Sequence, residues 1–163
     1  MRIRSISLSV ALLLSVAVWA ADEESSFQTY RNARFGYSVE VPSEFRKGAA
    51  PTNNDGRVFY DRKSRGILTV FGMYNALEAS PESYAAEREA DWKDLKGAIT
   101  YRAMRKGWFV LSGTIGGEIF YERVLFSGDR ETIATLLVRY PESEKERFGA
   151  FVTRASRSLR FAD

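Results

Sequence analysis

Between residues 98 and 140 the chain offers four apolar segments joined by short links that contain glycine. The segments are Ala98–Met104, Trp108–Ile115, Glu118–Phe126 and Thr132–Tyr140, and the links hold Lys106-Gly107, Gly116-Gly117 and Ser127-Gly128-Asp129. A parallel crossover needs a dozen residues or more, so consecutive segments have to be antiparallel neighbours. This part of the chain is predicted to be a four-strand meander. Its third strand carries Ile119, Tyr121, Arg123 and Leu125 on one face and Phe120, Glu122, Val124 and Phe126 on the other. A sheet wetted on one side alternates apolar with polar residues. Here both faces are mainly apolar, so both need a cover.

Two helices can supply it. Ser80 fits an N-cap, with Pro81 at the first helical position and Glu82 at the positive end of the dipole. Gly97 fits a left-handed cap just past the other end. Tyr84, Ala85, Trp92 and Leu95 fall on one stripe, narrowed by Arg88 and Asp91, so this helix is expected over an edge of the sheet. The second helix follows Pro141. Ser143 and Glu146 have capping-box spacing, and Phe148, Phe151, Val152, Ala155 and Leu159 form a full apolar stripe. Glutamates crowd its start, and Arg154, Arg157 and Arg160 its end, which complements the dipole.

Upstream, Tyr37–Val41 alternates with period two and stops at Pro42. Residues 42–56 are irregular and end in the turn signal Asn54-Asp55-Gly56. Arg57–Asp61 and Ile67–Tyr74, linked by five residues, suit a hairpin. The predicted class is α+β: a single antiparallel sheet of about six to seven strands with two main helices, one domain over residues 30–161. Residues 21–29 are polar and acidic and are expected to be a mobile tail. Arg2 and Arg4, the apolar run Ile6–Val18 and Val18-Trp19-Ala20 have the pattern of a signal peptide over residues 1–20, cut between Ala20 and Ala21. The expected location is the periplasm or the exterior, with no membrane span once the leader is cut. No Cys follows the leader, which excludes a lipid-anchored lipoprotein.

The layout, with Tyr30-Arg-Asn-Ala-Arg-Phe-Gly36, Trp108-Phe-Val-Leu-Ser-Gly113, Ile119-Phe-Tyr121 and Arg139-Tyr-Pro-Glu-Ser143, resembles a group of small, uncharacterised exported bacterial proteins. It also resembles the PsbP-like fold, which a photosystem extrinsic subunit and a Ran-binding import factor share. The resemblance covers about residues 30–161 and implies an accessory binding protein rather than an enzyme. It carries over no functional residue.

The chain has no Cys and no His. That removes thiolate nucleophiles, Cys- or His-bound metals and Ser-His-Asp couples. The formal charge of +3 falls by two when Arg2 and Arg4 leave with the leader, too small a surplus for a nucleic-acid binder. Asn53-Asn-Asp-Gly56 fails as a calcium loop, because Pro51 and Arg62 stand where ligands are needed. Gly113–Gly117 lies between strands and lacks the lysine of a P-loop. Glu118 with Glu122, or Asp55 with Asp61, would be the carboxylate pairs of a hydrolase, but all four read as turn or solvated strand residues.

Two groups remain as candidate binding residues. Asn54, Asp55 and Arg57 end the long loop. Tyr101, Arg105 and Trp108 share one sheet face if Lys106-Gly107 is a two-residue turn, with Arg105 opposite Trp108. The sequence points to an exported non-catalytic binding or accessory domain that needs no cofactor. Its partner would be another envelope protein or a small ligand. The alternatives are a carboxylate-based hydrolase of envelope glycans and a purely structural envelope factor.

Overall fold

The computed structural model describes residues 26–162. The leader and most of the expected tail lie outside the described residues. In chain order the elements are β1 (Phe27–Asn32), β2 (Tyr37–Pro42), β3 (Arg46–Lys47), β4 (Gly56–Tyr60), β5 (Ile67–Tyr74), α1 (Pro81–Asp94), β6 (Ala98–Arg105), β7 (Trp108–Ile115), β8 (Glu118–Phe126), β9 (Thr132–Pro141), α2 (Lys145–Ser158) and β10 (Arg160–Phe161). One turn of 3-10 helix, Glu142–Glu144, leads into α2. None of the described helices is long and apolar enough to cross a membrane.

The fold is α+β and antiparallel throughout its described pairings. The meander forms over β6–β9. Gly116 and Gly117 both have positive φ, at 56° and 79°, as a two-residue hairpin turn requires. The β4–β5 hairpin joins the meander along β9, and the seven-stranded order is β3-β4-β5-β9-β8-β7-β6.

The strands are divided between two sheets rather than held in one. β1, β2 and β10 make a separate three-stranded sheet. The cause is local. Residues 33–36 are a tight turn, closed by a 2.9 Å bond from the Gly36 amide to the Asn32 carbonyl, so β1 folds straight back on β2. β10 takes the other edge of β2. With both edges filled, β2 cannot enter the large sheet. β1 starts at Phe27, inside the segment read as a tail.

Each face of the large sheet has its own cover. On one face, Ala85 and Trp92 of α1 pack with Phe109, Leu111, Phe120, Val124, Phe126 and Ile133. Trp92 stacks on Phe120 with ring centroids 3.8 Å apart. α1 lies over β6 and β7, at the sheet's edge as its narrow stripe implies. Ser80 caps it through the Ser83 amide at 3.1 Å. At its other end Lys96, with φ 65°, takes the left-handed position expected of Gly97. The Lys96 amide bonds Lys93 and the Gly97 amide bonds Trp92, a Schellman pattern that puts the glycine one residue later. Leu95, expected in the stripe, is exposed.

On the opposite face the small sheet and α2 close a larger core. Tyr37, Val39 and Val41 of β2 meet Phe59, Leu68, Val70, Leu136 and Val138, and the whole α2 stripe is buried. Tyr140 stacks on Phe148 at 4.5 Å. The capping box expected at Ser143 and Glu146 does not form. The 3-10 turn places Ser143 before the α-helical start, and Glu144 becomes the first flanking residue.

Candidate functional site

Asn54, Asp55 and Arg57 lie where the two sheets part, between β1 and β4. The loop before β4 is tied to the small sheet by several bonds. Asn32 donates to the Asn54 carbonyl at 3.0 Å, Tyr37 donates its hydroxyl to the Asp55 carbonyl at 3.0 Å, and Arg34 donates to the Asn53 carbonyl. Burial, with lesser contributions from Tyr30 and Asp55, pushes the Tyr37 phenol far up, so it is a permanent donor there. The Asp55 carboxylate accepts from Asn53 at 2.8 Å and serves the loop itself. Asn54 and Arg57 instead border a concavity of about 270 Å³, shared with Tyr30, Arg31, Lys47 and Phe59.

Tyr101, Arg105 and Trp108 lie on the other edge of the large sheet, in β6 and β7. Arg105 pairs with Trp108, and Tyr101 pairs with Ser112 after a bulge near Thr100. The two sets of residues therefore do not form one site. Tyr101 is 54% exposed and Trp108 is half-buried. No residue of β6 or β7 enters the core closed by the small sheet and α2.

Sequence reasoning missed Arg123. Its guanidinium carbon lies 4.5 Å from the Trp108 ring centroid, on the face that Tyr101 and Trp108 share. Its Nε is sealed from solvent and has no hydrogen-bond partner among the described residues. Burial pushes its pKa down, and only Tyr121 opposes that shift. The signal was present. The Gly116-Gly117 turn fixes Ile115 opposite Glu118, hence Val110 opposite Arg123 and Trp108 opposite Leu125. Arg123 is then the diagonal neighbour of Trp108.

The four carboxylates weighed for hydrolysis are all engaged. Glu118 accepts from Arg139 at 2.6 Å. Glu122, expected at a solvated strand position, is 1% exposed and lies under α1. It accepts from Arg88 Nε at 2.8 Å and from Trp92 Nε1 at 2.6 Å. Asp61 is a turn residue as expected, but a buried one, bonded by Arg147, by Ser64 at 2.6 Å and by the Lys63 amide at 3.2 Å. Alternation along β8 cannot show which face is drier, so the burial of Glu122 was hidden until Arg88 and Trp92 came into register.

No protein-family model and no curated protein matches the chain. Solved structures do. The cyanobacterial PsbP (CyanoP) of Synechocystis sp. PCC 6803 is similar with a TM-score of 0.64 at 12% identity, over 88% of this chain and 97% of that one. The Ran-binding protein Mog1p of Saccharomyces cerevisiae is similar with a TM-score of 0.63 at 8% identity, over 85% of this chain and 97% of that one. LpqN of Mycobacterium tuberculosis, involved in cell envelope biogenesis, is similar with a TM-score of 0.54 at 11% identity, over 87% of this chain and 94% of that one. The chain has the PsbP-like fold.

Proposed function

We propose that the chain is an exported, non-catalytic accessory domain that engages another envelope protein through the open face of β6 and β7. The observation that carries this reading is Arg123 lying on Trp108. A half-buried guanidinium bears a desolvation cost, and no hydrogen bond to its Nε within the described residues offsets it. A partner carboxylate arriving over the Trp108 ring would offset it with a charge-assisted bond. Aromatic and arginine side chains in a partly desolvated patch are the usual anchors of protein interfaces. Tyr101 and Arg105 would border the contact.

The fold neighbours fit a binding role, since one is a Ran-binding protein and another serves cell envelope biogenesis. The leader pattern of residues 1–20 supports export. The test is co-purification from the envelope fraction of the native host, with Trp108→Ala and Arg123→Gln compared against Thr153→Ala on α2. The reading expects the first two to lose the bound protein and the third to keep it. Equal recovery with all three, each still folded by circular dichroism, would contradict it.

A further inference from the structure

We propose that the mouth of the sandwich between β1 and β4 binds a phosphate monoester, held by Arg57 and Lys47, with Arg31 at the rim on the outer face of β1. This site is at the opposite edge of the large sheet from the β6–β7 face, so either assignment can fail without the other.

The argument begins with charge. Three cations border the concavity of about 270 Å³, and no Asp or Glu does. Among the described residues none of the three is within salt-bridge distance of a carboxylate, although Arg88, Arg102, Arg139, Arg147 and Arg154 all are. Like charges gathered without counter-charge repel, and the arrangement raises the local affinity for an anion.

Placement sharpens this. Arg57 is paired with Val70 in the β4–β5 ladder and stands on the face that looks toward the small sheet. Its Nε is out of solvent with no hydrogen-bond partner, and its Nη1 reaches only the Gly48 carbonyl, at 3.4 Å. Lys47, paired with Phe59, stands on the same face. The Tyr30 ring holds both: the Lys47 ammonium is 5.4 Å from its centroid and the Arg57 guanidinium carbon 6.0 Å. The Tyr30 hydroxyl is buried, where it accepts from Asn32 at 3.3 Å and bonds with the Tyr37 hydroxyl, so it is the ring face that serves the mouth. Asn32 is spent on structure, since its Nδ2 also donates to the Asn54 carbonyl and its Oδ1 accepts from the Phe35 amide.

A planar guanidinium fork and a compact ammonium gathered over one aromatic ring suit a group with several oxygens and more than one negative charge. A phosphate monoester supplies both, carrying roughly −1.5 to −2 near neutral pH. A lone carboxylate would leave one of the two cations at the ring unanswered. Phe59 and Val41 give the inner wall an apolar surface for the substituent carried by the phosphate.

The experiment is calorimetric titration of the protein with glycerol phosphate, at an ionic strength fixed with sodium chloride. A single saturable site is expected. Arg57→Gln and Lys47→Gln should each weaken it about tenfold or more, the scale of one charge-assisted hydrogen bond. Arg157→Gln, which does not border the mouth, should leave it unchanged. Lys47 is exposed in a two-residue strand, so its variant remains informative if Arg57→Gln does not fold. Sedimentation with phosphatidylcholine vesicles, with and without phosphatidic acid, separates the two sources of such a group. Association that needs phosphatidic acid and Lys47 assigns the phosphate to a lipid headgroup. Glycerol phosphate binding without vesicle association assigns it to a soluble monoester. No saturable binding of glycerol phosphate, or wild-type affinity in the folded Arg57→Gln and Lys47→Gln variants, would overturn the proposal.

Discussion

Trp92 and Glu122 are joined by a 2.6 Å hydrogen bond in which the indole N–H donates to a carboxylate that solvent does not reach. Arg88 donates to the same carboxylate and also pairs with Asp91, so one glutamate fixes α1 to β8. Glu122→Leu strands the indole N–H and one arm of Arg88. It should destabilise the domain by about 3 kcal/mol in urea unfolding, as breaking a buried pair does. Glu122→Gln keeps an acceptor for Trp92 and should cost less. Equal stability of Glu122→Leu and wild type would show that the bond contributes nothing.

A second buried carboxylate gives a pH signature. Burial alone would raise the Asp61 pKa, but bonds from Arg147, Ser64 and the Lys63 amide outweigh it and hold the carboxyl below its ordinary 3.8. A depressed folded-state pKa adds stability that is present above the unfolded value and lost as pH falls through the folded one. Asp61→Asn should therefore melt well below wild type at neutral pH. The gap should narrow as the medium is acidified below pH 3.8. A gap that does not change with pH would place the effect of Asp61 elsewhere.

Two glycines of the β5 region let aromatic rings from the opposite layer come down on the sheet. Gly72 lies under Phe35 and Gly66 under Phe148, where an added Cβ would collide; at Gly72 it would fall 2.7 Å from the ring. Gly72→Ala and Gly66→Ala should each cost about 1–3 kcal/mol, the range of overpacked cores, read as a lowered melting temperature. Gly107→Ala, which meets nothing within 4 Å, is the control and should change little.

Local pattern made much of this fold legible. The stripe from Phe148 to Leu159 is a strong 3.6-residue signal, and every member is buried. Short glycine-containing links left the meander no other topology. The second sheet was not legible, because Tyr37–Val41 looks like any strand and its sheet depends on two pairings: one across a tight turn, the other with the two-residue β10, too short for any period. The Arg105–Trp108 pairing followed from the Lys106-Gly107 turn and the place of Arg123 beside Trp108 from the Gly116-Gly117 turn, so gathering Arg123 with Tyr101 and Arg105 required carrying register through both. The cations of the mouth were unreadable together, since Arg31, Lys47 and Arg57 belong to three strands in two sheets.

The export reading has a direct check. Intact-mass analysis of the protein from the native host should give a chain that starts at Ala21 and lacks Arg2 and Arg4. A mass that includes the first twenty residues would contradict cleavage.

The most direct test of the docking face is site-specific photocrosslinking in the native host. A photoreactive side chain at Tyr101 should give one discrete adduct that Trp108→Ala abolishes, and the same group at Thr153 should not give it. The same adduct from both positions, or one from Tyr101 that survives Trp108→Ala, would contradict the account.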